Sequence, residues 1–209
     1  MKRPQSIELL PQLIESLIGD ARETFLLFVD LCGSAEYKLN CTTQGLPDIT
    51  WMLRQMIFLQ RTAALVKQYN GIVVKTIGDE LFAYFETTIH PEQVLNCALD
   101  LIHNFENWKA YQGKSKLEAK ISIDLGLTYN GSIQSSVPFD PIGSAVDRCA
   151  RLNAVAQNNE IVFSEDFLAA VEAKLSPQSF KSKYGFKARS RNLKGLGKTK
   201  FYSILAKQE

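Results

Sequence analysis

Val74-Lys75-Thr76-Ile77-Gly78-Asp79-Glu80-Leu81-Phe82 is a pair of apolar runs broken by Gly78-Asp79. The pattern predicts a hairpin with strands over 72–77 and 81–85 and the glycine and aspartate at its tip. Upstream, Phe28-Val29-Asp30-Leu31-Cys32-Gly33-Ser34 sets a second aspartate near the end of an apolar strand over 25–31. Between them, helical spacing of apolar residues predicts a long helix over 51–69, ended by Asn70-Gly71. Strand-end carboxylates of this kind suit divalent cations, because hard cations take carboxylate oxygens and leave positions for phosphate oxygens. The chain therefore reads first as a metal-dependent enzyme acting on a nucleoside triphosphate. Turn or cap aspartates are the blander reading of the same residues. Glu80, next to Asp79, is expected to point elsewhere, since neighbours on a strand face opposite sides.

Farther out, helices are expected from Ser34, over 91–108, over 143–157 and over 166–174, with strands over 119–128, 160–164 and 200–205. Helices alternate with strands and a hairpin, which predicts an α+β sandwich of the ferredoxin-like, palm-like kind. Residues 6–18 form a leading helical stretch interrupted by Pro11, so the domain organisation reads as an arm over 1–23 and a single domain over 24–209.

The chain has 209 residues and a formal net charge of +2, enough length for one core and no charge excess that demands a polyanion. No apolar run approaches the roughly 20 residues of a membrane span, and no signal-peptide pattern opens the chain, so a soluble, cytoplasmic protein is expected. The four cysteines Cys32, Cys41, Cys97 and Cys149 lack zinc or disulfide spacing and read as reduced, partly buried thiols. From Lys174 to Lys200 there are many cations and no acid, read here as a solvated face that steers phosphate rather than a nucleic-acid module.

Taken in order, the Asp30 segment, Lys75-Thr76-Ile77-Gly78-Asp79, and Asp140-Pro141-Ile142-Gly143-Ser144-Ala145-Val146-Asp147-Arg148-Cys149-Ala150-Arg151-Leu152 resemble the catalytic domain of the class III nucleotidyl cyclases. Leu193-Lys194-Gly195-Leu196-Gly197 closes the pattern before a final strand, and the resemblance spans roughly residues 24 to 206. It implies conversion of a nucleoside triphosphate into a 3′,5′-cyclic monophosphate and pyrophosphate, with two divalent cations, Mn²⁺ or Mg²⁺, as cofactors. Asp30, Asp79 and the Leu31 carbonyl stand at the metal positions. Gly33 and Ser34 open the helix whose backbone N–H groups would face the phosphates. Arg151 matches the arginine that neutralises charge on the α-phosphate, and Lys194 the lysine that holds the terminal phosphates.

Lys75 and Asp140 match the positions that read the base. A lysine donor beside a carboxylate acceptor suits N1 and N6 of adenine or N3 and N4 of cytosine, and disfavours guanine and uracil unless the groups swap roles. Asp147 departs from the family, which usually has an asparagine there; it either binds a ribose hydroxyl or lowers activity, and Arg148 is the candidate to offset its charge. The compact chain, with Asp30-Leu31-Cys32-Gly33-Ser34-Ala35-Glu36-Tyr37-Lys38, a following helix that carries Trp51, Arg54 and Phe58, and Asp147 instead of asparagine, also looks like the pyrimidine cyclases of bacterial antiphage (Pycsar) systems, which implies cCMP or cUMP made from CTP or UTP and read by a separate effector. Trp51 could shorten the base pocket, or simply belong to the core of its helix. An adenylate cyclase making cAMP and a degenerate nucleotide-binding domain are the alternatives. The resemblance implies a head-to-tail homodimer with shared sites, while the short apolar runs and the lack of a nucleic-acid module lead to no membrane or nucleic-acid partner being expected.

Overall fold

The computed structural model describes residues 18–106, 117–131, 139–175 and 177–205, together with 11, 14 and 15. Along the chain run β1 (Arg22–Leu31), α1 (Ser34–Thr43), α2 (Ile49–Gln68), β2 (Ile72–Ile77), β3 (Glu80–Glu86), α3 (Pro91–Glu106), β4 (Ala119–Asn130), β5 (Pro141–Ile142), α4 (Ser144–Asn153), β6 (Glu160–Ser164), α5 (Glu165–Glu172), α6 (Pro177–Tyr184), β7 (Lys187–Leu193) and β8 (Gly197–Leu205). The strands lie in the order β2-β3-β1-β4-β6-β8-β7, with β5 paired to β4. β1 is antiparallel to both β3 and β4, so each early crossover skips one strand, the ferredoxin-like arrangement expected above. β6 then adds parallel to β4, and the β7–β8 hairpin closes the far edge.

Alternation along β1 divides the molecule. Phe25, Leu27, Val29 and Leu31 enter the larger core with residues of α2, α3 and α5, among them Phe58, Phe105 and Phe167. Leu26 and Phe28 face the other way, into a smaller cluster with Phe82, Tyr84, Phe139, Ala145 and Cys149, where Phe28 stacks on Phe82 at 4.4 Å between ring centroids. Burying each such side chain contributes about 1.5–3 kcal/mol. On that second side α4 is the helix that packs on the sheet, and the Asp30 end of β1 stays accessible beside it.

Helix α4 lies close to the sheet because Gly126 has no side chain: a Cβ there would sit 2.6 Å from Ala145 Cβ. The helix is shorter than the expected 143–157. Beyond Asn153 the backbone tightens into i→i−3 bonds, Val155 N–H to Leu152 O at 3.1 Å and Ala156 N–H to Asn153 O at 3.1 Å.

Between Lys174 and Lys200 the expected solvated face contains α6 and β7, neither of them anticipated, and the start of β8, three residues ahead of the strand expected over 200–205. Several of its cations hold acids of the body: Lys183 pairs with Glu92 at 2.7 Å, Arg189 with Glu160 at 2.5 Å and Lys200 with Glu165 at 2.8 Å. Most of the arm over 1–23 lies outside the described residues, as do positions 107–108 of the helix expected over 91–108. All four cysteines are buried and unpaired, and burial pushes Cys32 and Cys97 up to about 12, which keeps both as thiols. Among the described residues no helix is long and apolar enough to cross a membrane.

Candidate active site

Asp30 sits near the end of β1, opposite Glu80 on β3 and opposite Lys120 on β4. Directly opposed residues share a face, so the three side chains project together from the second side of the sheet. Lys120 Nζ holds Asp30 Oδ2 at 2.8 Å. Glu80 therefore does not point away, as the alternation argument expected. Asp79 lies at the hairpin tip rather than on the strand, so the parity of Glu80 is set by the β1–β3 register instead. Burial, and then the Asp30 and Asp79 carboxylates, push the Glu80 carboxyl up to about 7, against the pull of Lys120.

Gly78, at φ 64°, makes the turn that presents Asp79. The Ser34 hydroxyl, on the first turn of α1, donates to Asp79 Oδ2. Gly33 precedes that turn with φ 66°, and no side chain caps the helix. A cavity of about 190 Å³ opens between α1, α2 and the hairpin tip, walled by Leu31, Ser34 and Asp79 on one side and by Trp51 and Arg54 on the other. Trp51 is thus a cavity-wall residue rather than a core one; its Nε1 donates to Asp48 Oδ1 at 3.0 Å and Lys38 Nζ lies 4.3 Å from its ring centroid.

The remaining candidates come from α4 and the loops. Ala145, Cys149 and Leu152 are buried against the sheet, whereas Asp147 and Arg151, four residues apart, are both exposed. The rotation of the helix is fixed by Arg148. Its Nε and Nη2 bond the fully buried Asp124 at 2.7 and 2.8 Å, and Nη2 also reaches Asp166 at 2.5 Å. Arg148 is therefore committed to these acids and does not offset the charge of Asp147. The helix end is tied down by Asn153, whose Nδ2 donates to Phe28 O and Lys120 O, each at 3.2 Å.

Lys75 and Asp140 meet although 65 residues apart: Lys75 Nζ bonds both carboxylate oxygens, at 2.9 and 2.8 Å. Lys75 pairs with Phe82 in the sheet and so shares the face of Asp30. Lys194 is exposed in the turn between β7 and β8. The fold thus gathers Asp30, Asp79, Leu31 and Ser34 at one end of the sheet and joins Lys75 to Asp140. Among the described residues, Arg151, Asp147 and Lys194 form no ion pair with either group.

The carboxylate end fits divalent cations by its donor chemistry. Asp30 and Asp79 offer carboxylate oxygens, and their charges both act on Glu80 and Lys120, which places them near each other. Among the described residues no group of three or more His, Cys, Asp or Glu side chains is gathered in a metal-holding geometry. A cation held there draws its remaining ligands from backbone, water and substrate phosphate, the usual environment of Mg²⁺ at phosphoryl sites.

The model of the adenylate and guanylate cyclase catalytic domain matches residues 20–206. The chain belongs to that family. Solved structures agree in fold. The guanylate cyclase domain of RhGC from Catenaria anguillulae, determined with GTP, superposes with a TM-score of 0.72 at 18% identity over 89% of this chain and 97% of that one. The guanylyl cyclase Cya2 gives 0.71 at 18% identity, over 91% and 95%. The adenylyl cyclase CyaB from P. aeruginosa gives 0.67 at 17% identity, over 90% and 97%. No curated protein sequence matches the chain.

Within this cyclase domain, Lys120 and Arg54 were not singled out as candidate site residues. Lys120 had a readable signal, a lone cation entering the buried run 119–125. Arg54 stands among apolar neighbours on an amphipathic helix, and its burial follows from the packing of α1 on α2, which no local pattern reports.

Proposed function

We propose that this nucleotidyl cyclase acts on a pyrimidine triphosphate, CTP or UTP, and releases cCMP or cUMP with pyrophosphate. The observation that carries the base reading is the Lys75–Asp140 pair, an ammonium donor fixed beside a carboxylate acceptor. That pair offers cytosine its N3 and N4 contacts, and takes uracil with donor and acceptor exchanged. The resemblance to pyrimidine cyclases, rather than this pair, favours a one-ring base. The same pair also suits N1 and N6 of adenine, so ATP is the second reading.

Asp30, Asp79 and the Leu31 carbonyl would hold two divalent cations, Mn²⁺ or Mg²⁺, which would supply Lewis-acid activation of the ribose 3′-oxygen and charge neutralisation of the triphosphate. The 3′-oxygen forms a bond to the α-phosphorus, the bond to the bridging oxygen of pyrophosphate breaks, and the hydroxyl proton passes to solvent. Gly33 and Ser34 present uncapped N–H groups of α1 to the phosphates. Arg151, charged and exposed on α4, neutralises the α-phosphate in the transition state. Lys194 holds the terminal phosphates, and Asp147 accepts from a ribose hydroxyl.

Arg151 and the two aspartates form separate groups in one chain, which supports a head-to-tail homodimer in which each site takes its carboxylates from one subunit and its arginine and base pair from the other. Resemblance to the pyrimidine cyclases of antiphage systems supports a messenger role, with a separate effector reading the product. The test incubates the protein with Mn²⁺ and ATP, CTP, UTP or GTP separately and identifies cyclic products by mass spectrometry, with Asp79→Ala as blank. A cyclic pyrimidine nucleotide is expected. cAMP alone overturns the base assignment, and no product from any of the four leaves a nucleotide-binding domain disabled at Asp147.

A further inference from the structure

Arg54 enters the cavity between α1 and α2 almost completely enclosed, at 8% exposure. Its Nη2 donates to Cys32 O at 3.2 Å and its guanidinium lies 4.9 Å from the Tyr37 ring centroid, but its buried Nε has no partner. Leaving a buried, charged donor unmatched is costly, and an apolar residue of similar length would avoid that cost. Lys38, over the Trp51 ring, brings a second cation to the same cavity. Ser34 and Ala35, on the uncapped first turn of α1, also line it. Two cations and a free helix N-terminus converge on a space that Asp79 borders.

We propose that Arg54 and Lys38 bind the pyrophosphate end of the triphosphate and hold it as it leaves, making them positioning residues of the reaction. This rests on the cyclase reading of the same site. A phosphate entering the cavity meets the Arg54 guanidinium, whose hydrogen bonds the protein leaves incomplete. The planar guanidinium suits two oxygens of one phosphate, whereas Lys38 acts as a point charge at the mouth. A charged hydrogen bond of this kind corresponds to roughly a 10- to 100-fold change in affinity.

The test measures binding of inorganic pyrophosphate with Mg²⁺ by titration calorimetry, independently of turnover, for the wild type, Arg54→Gln, Arg54→Lys and Lys38→Gln. CMP is the comparison ligand, since its single phosphate occupies the α position. Loss of pyrophosphate affinity by roughly tenfold or more in Arg54→Gln, a smaller loss in Arg54→Lys and unchanged CMP binding are expected. Pyrophosphate bound equally by the wild type and Arg54→Gln overturns the assignment even if the protein makes cyclic nucleotide. Arginine-dependent pyrophosphate binding sustains it even if no cyclic product forms. If Arg54→Gln does not fold, the exposed Lys38→Gln decides: weaker pyrophosphate binding supports the site, and unchanged binding overturns it.

Discussion

Lys120 Nζ bonds Asp30 Oδ2 at 2.8 Å across the β1–β4 ladder, so a candidate metal carboxylate is already neutralised by a cation of its own chain. A divalent ion taking Asp30 must break this contact and sit near the displaced ammonium. Lys120→Gln is therefore expected to tighten Mn²⁺ binding in the absence of nucleotide by roughly tenfold, a change of about 1.4 kcal/mol for a partly buried pair. Titration followed by the Mn²⁺ electron paramagnetic signal reads this directly. Equal affinity in both proteins would show that Asp30 does not contact the ion.

The Arg148–Asp124 pair sets the rotation of α4. Removing the arginine leaves the carboxylate buried without its counter-ion, so Arg148→Ala is expected to lose about 3–5 kcal/mol of stability. Burial already pushes Asp124 upward while the Arg148 hydrogen bonds pull it back. Without Arg148 its folded pKa rises farther above the unfolded one. A raised carboxyl pKa gives stability that is present at low pH and is lost as pH rises through the folded value. Urea midpoints should therefore differ more between Arg148→Ala and the wild type at pH 8 than at pH 5, and adding Asp124→Asn should narrow the gap at pH 8. A pH-independent gap would refute this account.

The proposed function puts Arg151 where charge grows in the transition state, so Arg151→Ala should lower kcat by roughly 10²–10³ with little change in KM. Its exposed position predicts an unchanged thermal midpoint. A rise in KM alone would mean that Arg151 only binds substrate.

Shared sites predict complementation. Asp79→Ala and Arg151→Ala proteins, each inactive alone, should recover about a quarter of wild-type activity when mixed one to one, because half the dimers then carry one intact site of two. No recovery under conditions where subunits exchange would place all the groups of one site in a single chain.

Lys75→Ala removes the donor of the pair proposed to read the base, from a lysine side chain that is 46% exposed. Selectivity among the four triphosphates should relax by roughly tenfold or more while stability stays within about 0.5 kcal/mol. Competition assays with paired substrates test this, and unchanged selectivity would remove Lys75 from base recognition.

The hairpin over 72–86 and the strand carrying Asp30 were legible because short continuous apolar runs bounded by Gly78-Asp79 and Cys32-Gly33 state their own boundaries. The long helix α2 was equally plain. The β7 strand was not, because it is an edge strand in which Leu193 alone is buried and its charged residues leave no apolar alternation to read.

Local pattern by itself determined where the acids, the helix start at Ser34 and the Asp140–Leu152 segment stand in the chain, and with them the family. Tertiary structure decided which groups meet. The β1–β3 register turned Glu80 toward Asp30, and the β1–β4 register set Lys120 on the same carboxylate. Contact between Lys75 and Asp140, enclosure of Arg54, and the claim of Asp124 on Arg148 all depend on strand order and helix packing. A side chain's neighbours along the chain specify its face, but its partners across a sheet are fixed only when distant strands choose a register that buries both apolar sets at once.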